Sequence, residues 1–444
     1  MTVTTPLRAL PILGPNRALK VPGTVERTLD NGLTVIALRR SSVPLVEVRL
    51  RVPFAQADLA RAALLTQTVL SGTSTMSTVD IAAELQKVGG GLSAGADPDR
   101  LMISGNALVD GLDRLLDILS SVLTDAAYPA EEVDTERARL VDRIRVAQSQ
   151  PSHLARVALL KRMYGSHPYA IQTPAPELVE AVVPDELRGL HAERLHPNGA
   201  ILVIVGDLEP EAAIASAERM LGKWNGGGTL AELPPAPALQ PGPLTLVDRP
   251  DSVQSSLRLA LPAVSRQHPD HAALQLANLI FGGYFSSRWV ENIREDKGYT
   301  YGPHSLIEHA VAGSALVVSA EVATEVTGPA LLETLYELGR IASLPPKDEE
   351  LEQARQYALG TLQLGMSTQA GLAGLVSTYA GFGLRLDYLA EHAARLAKAG
   401  KDDVAAAAAQ YLAPSRAAAV VLGDASRVEA SLAALTPVQR AEGS

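Results

Sequence analysis

The alternation of apolar and polar residues predicts that the chain opens with strands and continues with helices. Two β-rich runs lie on either side of Asn31 and Gly32, a dipeptide typical of tight hairpin turns. Over 56–70 the apolar residues recur with the period of a helix, which a Ser-Gly-Thr sequence at 71–73 should end. A serine at the start of 77–88 can cap a second helix.

A glycine-rich segment, GGGLSAG at 89–95, then leads into another strand. The apolar run at 200–205 has the length of a buried strand and is followed by a Gly-Asp pair. Between these two segments, helical periodicity predicts further helices at 108–124, 130–149 and 177–195.

A change of composition at 225–243 marks the clearest domain boundary. Three consecutive glycines are followed by five prolines in the last ten residues, a composition typical of a linker. The sequence therefore divides into an extended arm at 1–23, a first domain at 24–224, a linker at 225–245 and a second domain at 246–444.

The second half repeats the order of elements in the first. Residues 32–53 match 242–262, and 200–221 match 417–435, each of the latter two containing a strand, a Gly-Asp pair and a helix. Two matches in the same order indicate an internal duplication. Because the helices cluster rather than alternate strictly with strands, we predict an α+β fold. In this fold each half has a mixed β-sheet with helices packed on one face.

Composition excludes several classes of function. The 444 residues carry a net charge of −10, which leaves no basic surface on balance for nucleic acid. The chain has no cysteine, so it has neither disulfides nor thiolate metal sites. The longest apolar runs have the length of strands, too short to span a membrane. We expect a cytoplasmic protein, because prolines interrupt the N-terminal segment and leave no apolar core of a signal peptide.

The nine histidines do not form a metal motif in the sequence. His268 and His271 open a predicted helix without a third ligand nearby, so we expect them to cap it and lie at the surface. Two further pairs are five residues apart, a spacing that suits neither a helix nor a strand, and we interpret them as structural or solvated: His191 and His196, and His304 and His309. No phosphate-binding loop or nucleophile-elbow motif is present.

One segment, 281–302, concentrates tyrosine and arginine in a chain with only 4% aromatic residues. A glycine loop, a short helix and the start of a strand bring together Arg288, Arg294, Tyr299 and Tyr301. From composition alone, a structural hairpin and helix is the simpler interpretation, and spacing alone identifies no active site.

The order of motifs nevertheless resembles the pitrilysin/insulinase-type metallopeptidases, or inverzincins, from about residue 24 to 437. The matching stretches are LDNGLTVIAL, the helix ending in SGT, VGGGLSAGADPD, HPYA, HPNGAILVIVGDLEPEAA and FSSRWVENIREDKGYTYG. The chain is most similar to the short two-domain members, which include the mitochondrial processing peptidase and respiratory-complex core subunits.

The resemblance implies a catalytic signature that this chain lacks. Active members carry H-x-x-E-H on the helix before the Gly-Thr turn, and a distant Glu completes the zinc site. The corresponding positions here hold Ala63, Thr66 and Gln67, with Arg143 in place of the distant Glu. We therefore expect no zinc in this chain, because none of these side chains can replace an imidazole or a carboxylate.

The resemblance also implies an Arg/Tyr pair that this chain retains. In the family, an Arg and a Tyr seven residues later reach the substrate from the C-terminal domain; here they match Arg294 and Tyr301. Arg288 and Tyr299 then become supporting structure. The family's substrate-pairing strand falls on Gly90, Gly91, Leu92, Ser93 and Ala94.

These matches imply a zinc-free subunit of a heterodimeric zinc peptidase, inactive alone. A homologous partner with H-x-x-E-H would supply zinc and the general base, and the substrate would be a peptide or unfolded polypeptide. Two alternatives stay open: a scaffold or binding subunit like a core protein, and an independent enzyme with a rebuilt metal site around His268 and His271.

Overall fold

The computed structural model describes residues 21–227 and 230–441, and most of the predicted arm at 1–23 lies outside them. Each half contains a six-stranded mixed sheet. The strands of the first half are β1 Thr24–Thr28, β2 Thr34–Arg39, β3 Leu45–Pro53, β4 Gly91–Ala96, β5 Arg100–Leu108 and β6 Ile201–Gly206. Its helices are α1 Leu59–Thr68, α2 Thr78–Lys87, α3 Leu112–Asp125, α4 Ala130–Ser149, α5 Pro151–Tyr164, α6 Pro176–Glu180, α7 Pro184–Arg194 and α8 Pro210–Leu221.

The second half follows the same plan. Its strands are β7 Leu244–Asp248, β8 Gln254–Pro262, β9 His304–Ala310, β10 Gly313–Ala323, β11 Ala418–Gly423 and β12 Val438–Arg440. Its helices are α9 His271–Asn278, α10 Arg288–Val290, α11 Thr327–Ser343, α12 Asp348–Gly365, α13 Gln369–Gly381, α14 Asp387–Lys398, α15 Lys401–Tyr411 and α16 Ala425–Ala433. Two π-helical turns, Leu279–Gly283 and Glu291–Asp296, flank α10.

Local hydrogen bonds form the first turn and the start of α2, as the sequence predicted. Asn31 accepts a hydrogen bond from the amide of Leu33, and Gly32 takes a φ of +90°, which closes the turn between β1 and β2. Ser77 and Asp80 form a reciprocal capping box at the start of α2. The predicted hairpin and second helix are thus confirmed.

The strand order confirms the duplication. The first sheet runs β1-β2-β6-β3-β5-β4 and the second runs β12-β7-β11-β8-β10-β9, so five strands correspond one to one. The sixth position differs: β1 comes from the start of its half and is antiparallel to β2, whereas β12 comes from the end and is parallel to β7.

Each sheet packs its own helices on one face, as predicted, and receives one helix of the other half on the opposite face. Helix α5 of the first half packs Leu159 and Met163 against Val317 and Leu422 of the second sheet. Helix α13 of the second half packs on β3 and β6 of the first sheet. The sequence did not indicate this exchange, because helical periodicity identifies an apolar face and not its partner.

The turns at the ends of the two sheets also meet. Tyr169 donates its hydroxyl hydrogen to Asp99 and accepts a hydrogen bond of 3.0 Å from the amide of Ala312, in the β9–β10 turn. The second carboxylate oxygen of Asp99 accepts a bond of 2.9 Å from the amide of Val311. A buried carboxylate and phenol therefore tie the β4–β5 turn to the corresponding turn of the second half.

The linker lies against both halves. His167 donates from Nε2 to the carbonyl of Pro234, and the amide of Ala236 donates to the carbonyl of Ala312. The first strand of the second sheet begins at Leu244, two residues before the boundary expected at 246. Among the described residues, no helix has the length and apolar character needed to cross a bilayer.

Candidate active site

Helix α1 forms one wall of a cleft in the first half. Ala63, Thr66 and Gln67 lie along one face of this helix because positions i, i+3 and i+4 are neighbours. They line a cavity of about 760 Å³ whose other walls include the end of β4 and the segment after α5. These three residues, at the positions that the resemblance implies, therefore line one cavity.

Arg143 on α4 completes this group. Its Nη2 donates to Oε1 of Gln67 at 2.8 Å, although the two residues are 76 positions apart. The Thr66 hydroxyl donates to the carbonyl of Ala63 at 2.9 Å and thus closes a bond within the helix. The four side chains lie together. They carry a methyl group (Ala63), a hydroxyl (Thr66), an amide (Gln67) and a guanidinium (Arg143).

This set of side chains does not fit a zinc ion. Zinc sites in proteins use imidazole, thiolate or carboxylate ligands, and a guanidinium repels the metal. Across the described part of the chain, no group of three or more His, Cys, Asp or Glu residues is arranged to hold a metal.

Strand β4, the predicted substrate strand, lies at the edge of the first sheet. It pairs with β5 along its whole length, and no other strand of the described residues pairs with it. Gly91 has open space where a Cβ would lie, whereas a Cβ on Gly90 would be 2.1 Å from the carbonyl oxygen of Asn106. Gly90 thus serves close packing against β5, and the rest of the predicted strand, Leu92, Ser93 and Ala94, offers an edge for another strand.

Arg294 and Tyr301 lie together in the second half. Arg294 is on the π-helical turn after α10, a geometry that is frequent at functional sites. Its guanidinium carbon is 4.3 Å from the ring centroid of Phe285 and 5.2 Å from that of Tyr301. Cation–π contacts with two rings hold the guanidinium in place. The Tyr301 side chain is 88% exposed.

The pair separates two cavities with different linings. One, of about 730 Å³, contains Glu295 and Glu321, and the other, of about 350 Å³, contains Tyr284 and Phe285. Arg294 and Tyr301 line both cavities, whereas the cleft of α1 is a separate cavity.

Arg288 and Tyr299, for which the sequence predicted a supporting role, make contacts within the second half. Arg288 forms a two-pronged ion pair with Glu350, with both distances 2.7 Å. Tyr299 is partly buried against the second core. Neither side chain shares the two-ring packing that holds Arg294.

The histidines only partly follow their predicted roles. His268 accepts a hydrogen bond from the amide of Asp270, consistent with capping, and His191 bonds Tyr128 in the core. The surface role predicted for His271 is wrong: its ring is buried between His309 and His392. Helix α9 begins at His271 and directs this ring towards β9 and α14, a contact that spacing along the chain could not indicate.

Burial controls the charge of these three rings. Desolvation, with nearby histidine and arginine side chains, lowers the pKa of His271 to about 2. Desolvation likewise lowers the pKa of His309 to about 3 and that of His392 to about 4, again with contributions from neighbouring cationic groups. All three are neutral at physiological pH.

Two family models match the chain in succession. One, described as insulinase (peptidase family M16), matches residues 61–177 and includes Ala63, Thr66 and Gln67 of α1. The other, described as the peptidase M16 inactive domain, matches residues 181–357 and includes the Arg294 and Tyr301 segment. The chain belongs to the insulinase-like M16 peptidase family.

Two relatives agree with the M16 assignment. A Streptomyces coelicolor protein named an uncharacterized zinc protease is 23% identical over 412 residues, covering 88% of each chain. A Mycobacterium leprae protein of the same description is 24% identical over 312 residues, covering 68% of this chain and 70% of that one.

The fold is shared with two solved structures. A peptidase M16 inactive domain from Pseudomonas fluorescens aligns with a TM-score of 0.83 at 22% identity, covering 90% of this chain and 98% of that one. A protease from Helicobacter pylori aligns with a TM-score of 0.84 at 17% identity, covering 90% and 100%. At these identities the likeness shows the M16 two-domain fold alone.

Proposed function

We propose that this chain is the zinc-free subunit of a heterodimeric M16 peptidase and supplies Arg294 and Tyr301 to the active site. A homologous partner with H-x-x-E-H would hold the zinc and the general base. The single observation that carries the proposal is the pairing of an exposed Tyr301 with a guanidinium fixed by two aromatic rings.

The absence of zinc ligands at the motif positions supports the need for a partner. Ala63 and Thr66 offer no metal ligand, and Gln67 is bonded to Arg143. The zinc and its water would therefore belong to the partner, and this chain alone would not hydrolyse peptides. A cytoplasmic location, inferred from the sequence, stays a prediction.

Arg294 and Tyr301 have the chemistry for the remaining task. A phenol can donate a hydrogen bond to the oxyanion that develops when a peptide carbonyl is attacked, and a guanidinium can hold a neighbouring carbonyl of the substrate. The Tyr301 hydroxyl makes no hydrogen bond to any described residue, so it is available to a substrate. Stacking on Phe285 reduces the motion that Arg294 would lose on binding.

The edge strand β4 supports a peptide as the substrate class. An extended chain can add to a free sheet edge through main-chain hydrogen bonds, which recognise a backbone and not a particular sequence. Gly91 leaves room for such a chain, since no atom lies within 4 Å of the point where a Cβ would be.

Tyr301→Phe tests the proposed role. In a complex with a partner that carries H-x-x-E-H, we expect this variant to lower kcat for a peptide by about 100-fold, as loss of one oxyanion donor does elsewhere. Tyr336→Phe is the matched control, because Tyr336 is an exposed tyrosine on α11 of the same half. Hydrolysis should also stop when a chelator removes zinc from the complex.

Three results would contradict the proposal. Unchanged kcat in Tyr301→Phe would remove the catalytic role of the pair. Full activity of the partner without this chain would favour the scaffold or binding subunit that the sequence left open. Stoichiometric zinc in the purified chain alone would instead favour the independent enzyme.

A further inference from the structure

A second group of polar residues lies away from the candidate active site. His271, His309 and His392 pack ring against ring, and Arg266 and Arg395 lie beside them. We call these five residues the arginine–histidine cluster. Its members come from the β8–α9 connection, α9, β9 and α14, so it joins four parts of the second half.

Aromatic rings hold both guanidinium groups. Arg266 lies 5.3 Å from the ring centroid of Tyr379 and 5.6 Å from that of Phe382. Arg395 lies 5.1 Å from the ring centroid of Tyr388. Stacking uses the flat face of a guanidinium and leaves its N–H edge available to an acceptor.

The cluster concentrates buried polar atoms without a partner. Nε of Arg266 and both Nε and Nη2 of Arg395 are buried and donate no hydrogen bond. These three donors are among the eleven buried side-chain polar atoms without a hydrogen-bond partner in the described residues. Buried donors are almost always satisfied in folded proteins, so a concentration of unsatisfied ones indicates an absent acceptor.

Among the residues that the structure describes, no carboxylate fills that role. Within 21–227 and 230–441, neither Arg266 nor Arg395 forms an ion pair, while most of the other arginines described do. The three histidines are neutral and add no negative charge. The cluster therefore holds two positive charges without a counter-ion in a chain whose net charge is −10.

A cavity beside Arg266 has room for an acceptor, whereas Arg395 does not line this cavity. It measures about 340 Å³ and is lined by Arg266, His309, Ser265, Gln267 and Ser314, among others. A water molecule takes roughly 30 Å³ of liquid, so the cavity can hold a small anion with several waters. Hydroxyl, amide and guanidinium donors are the groups that bind oxyanions.

We propose that this cavity binds a small oxyanion, a carboxylate or phosphate group, with Arg266 as the main contact. The planar guanidinium would donate two parallel hydrogen bonds to one such group. The cavity is also lined by the β9–β10 turn and by Phe382 beyond α13, so the anion would bind where the two halves meet.

Anion titrations of the purified full chain at pH 7 and constant ionic strength test the site. We expect inorganic phosphate or succinate to raise the Tm saturably and to give a measurable Kd by calorimetry. Arg266→Gln should weaken that Kd at least tenfold. Arg427→Gln is the matched control, since Arg427 is an exposed arginine of α16 that pairs with Glu325, and it should leave the Kd unchanged.

Comparison of the two anions distinguishes a phosphate site from a carboxylate site. Saturable binding of phosphate alone assigns a phosphate site, and saturable binding of succinate assigns a carboxylate site; either supports the proposal. Should Arg266→Gln not fold, Arg266→Lys keeps the charge without the two-pronged geometry and should still weaken binding. The proposal is overturned if neither anion binds beyond an equal concentration of chloride, or if the Arg266 variants bind as the natural chain does.

Discussion

Arg143 and Gln67 meet beside the α1 cleft as a guanidinium and an amide, and neither group is a zinc ligand. Their hydrogen bond of 2.8 Å joins α1 to α4, although α2 and α3 lie between these helices in the sequence. At the residue scale, the question of metal binding is thus decided by side-chain identity and not by fold.

Single residues also determine how stability depends on pH. The pKa values of His271, His309 and His392 are lowered to about 2, about 3 and about 4 by burial and cationic neighbours. An unfolded histidine titrates near 6.5, so below that pH the unfolded chain takes up protons that the folded chain does not. The folded state should lose stability as the pH falls from about 6.5 towards 4, by at most about 1.4 kcal/mol per pH unit for each histidine.

Chemical unfolding at several pH values checks this prediction. The groups that face the three rings are Arg266, Arg395, Tyr388, Gln275 and Ser314, none of which is acidic. His309→Gln removes one titrating ring and should reduce the dependence of the unfolding free energy on pH. His304→Gln, at the exposed start of the same strand, is the control and should not. An identical slope in both variants would contradict the prediction.

At the scale of elements, the start of β4 requires a glycine at Gly90, just before the strand, and tolerates a side chain at Gly91, its first residue. An added Cβ on Gly90 would overlap the carbonyl oxygen of Asn106, whereas one on Gly91 would meet no atom within 4 Å. Gly90→Ala should therefore lower the free energy of unfolding by about 1 to 3 kcal/mol, because β4 and β5 must separate to admit the methyl group. Gly91→Ala should change it by less than about 0.5 kcal/mol.

Denaturant unfolding of the two variants measures this difference. If β4 also receives the substrate, Gly90→Ala should lower peptide hydrolysis by the complex as well, since the displaced strand no longer presents a regular edge. Equal stability of the two variants would mean that β4 is not held against β5 as closely as the distance implies.

The sequence predicted those elements whose signals are local. The Asn31 hairpin, the Ser77 cap and the repeated strand-Gly-Asp-helix pattern depend on neighbours within a few residues. The contact of His271 with His309, the pairing of β12 with β7 and the site of α13 depend on residues far apart in sequence. Periodicity cannot specify such partners, because any apolar face of suitable size satisfies the same pattern.

At the scale of the whole molecule, the exchanged helices make each half part of the other's core. Helix α5 follows α4 of the first half, yet its buried Leu159 packs on the second sheet. Helix α13 belongs to the second half, yet it packs on the first sheet. Neither half can unfold alone without exposing a sheet face and a helix face that both depend on the other half.

This interlocking predicts one cooperative unfolding transition. The chain has two tryptophans, and each reports on one half: Trp224 is buried in the first core and Trp289 in the second. In the single-tryptophan variants Trp224→Phe and Trp289→Phe, fluorescence should reveal coincident midpoints in denaturant. Two separated midpoints would show that the halves unfold independently despite the exchange.

Leu159→Ala extends the same experiment. This substitution should lower the free energy of unfolding by about 2 to 5 kcal/mol, as truncation of other core leucines to alanine does. Although Leu159 belongs to the first half, the lost contacts are with the second sheet, so a chain of independent halves would shift only the Trp289 signal. The interlocked fold predicts instead that both tryptophan signals move together to the same lower midpoint, because the transition that exposes one sheet face also releases the helix covering the other.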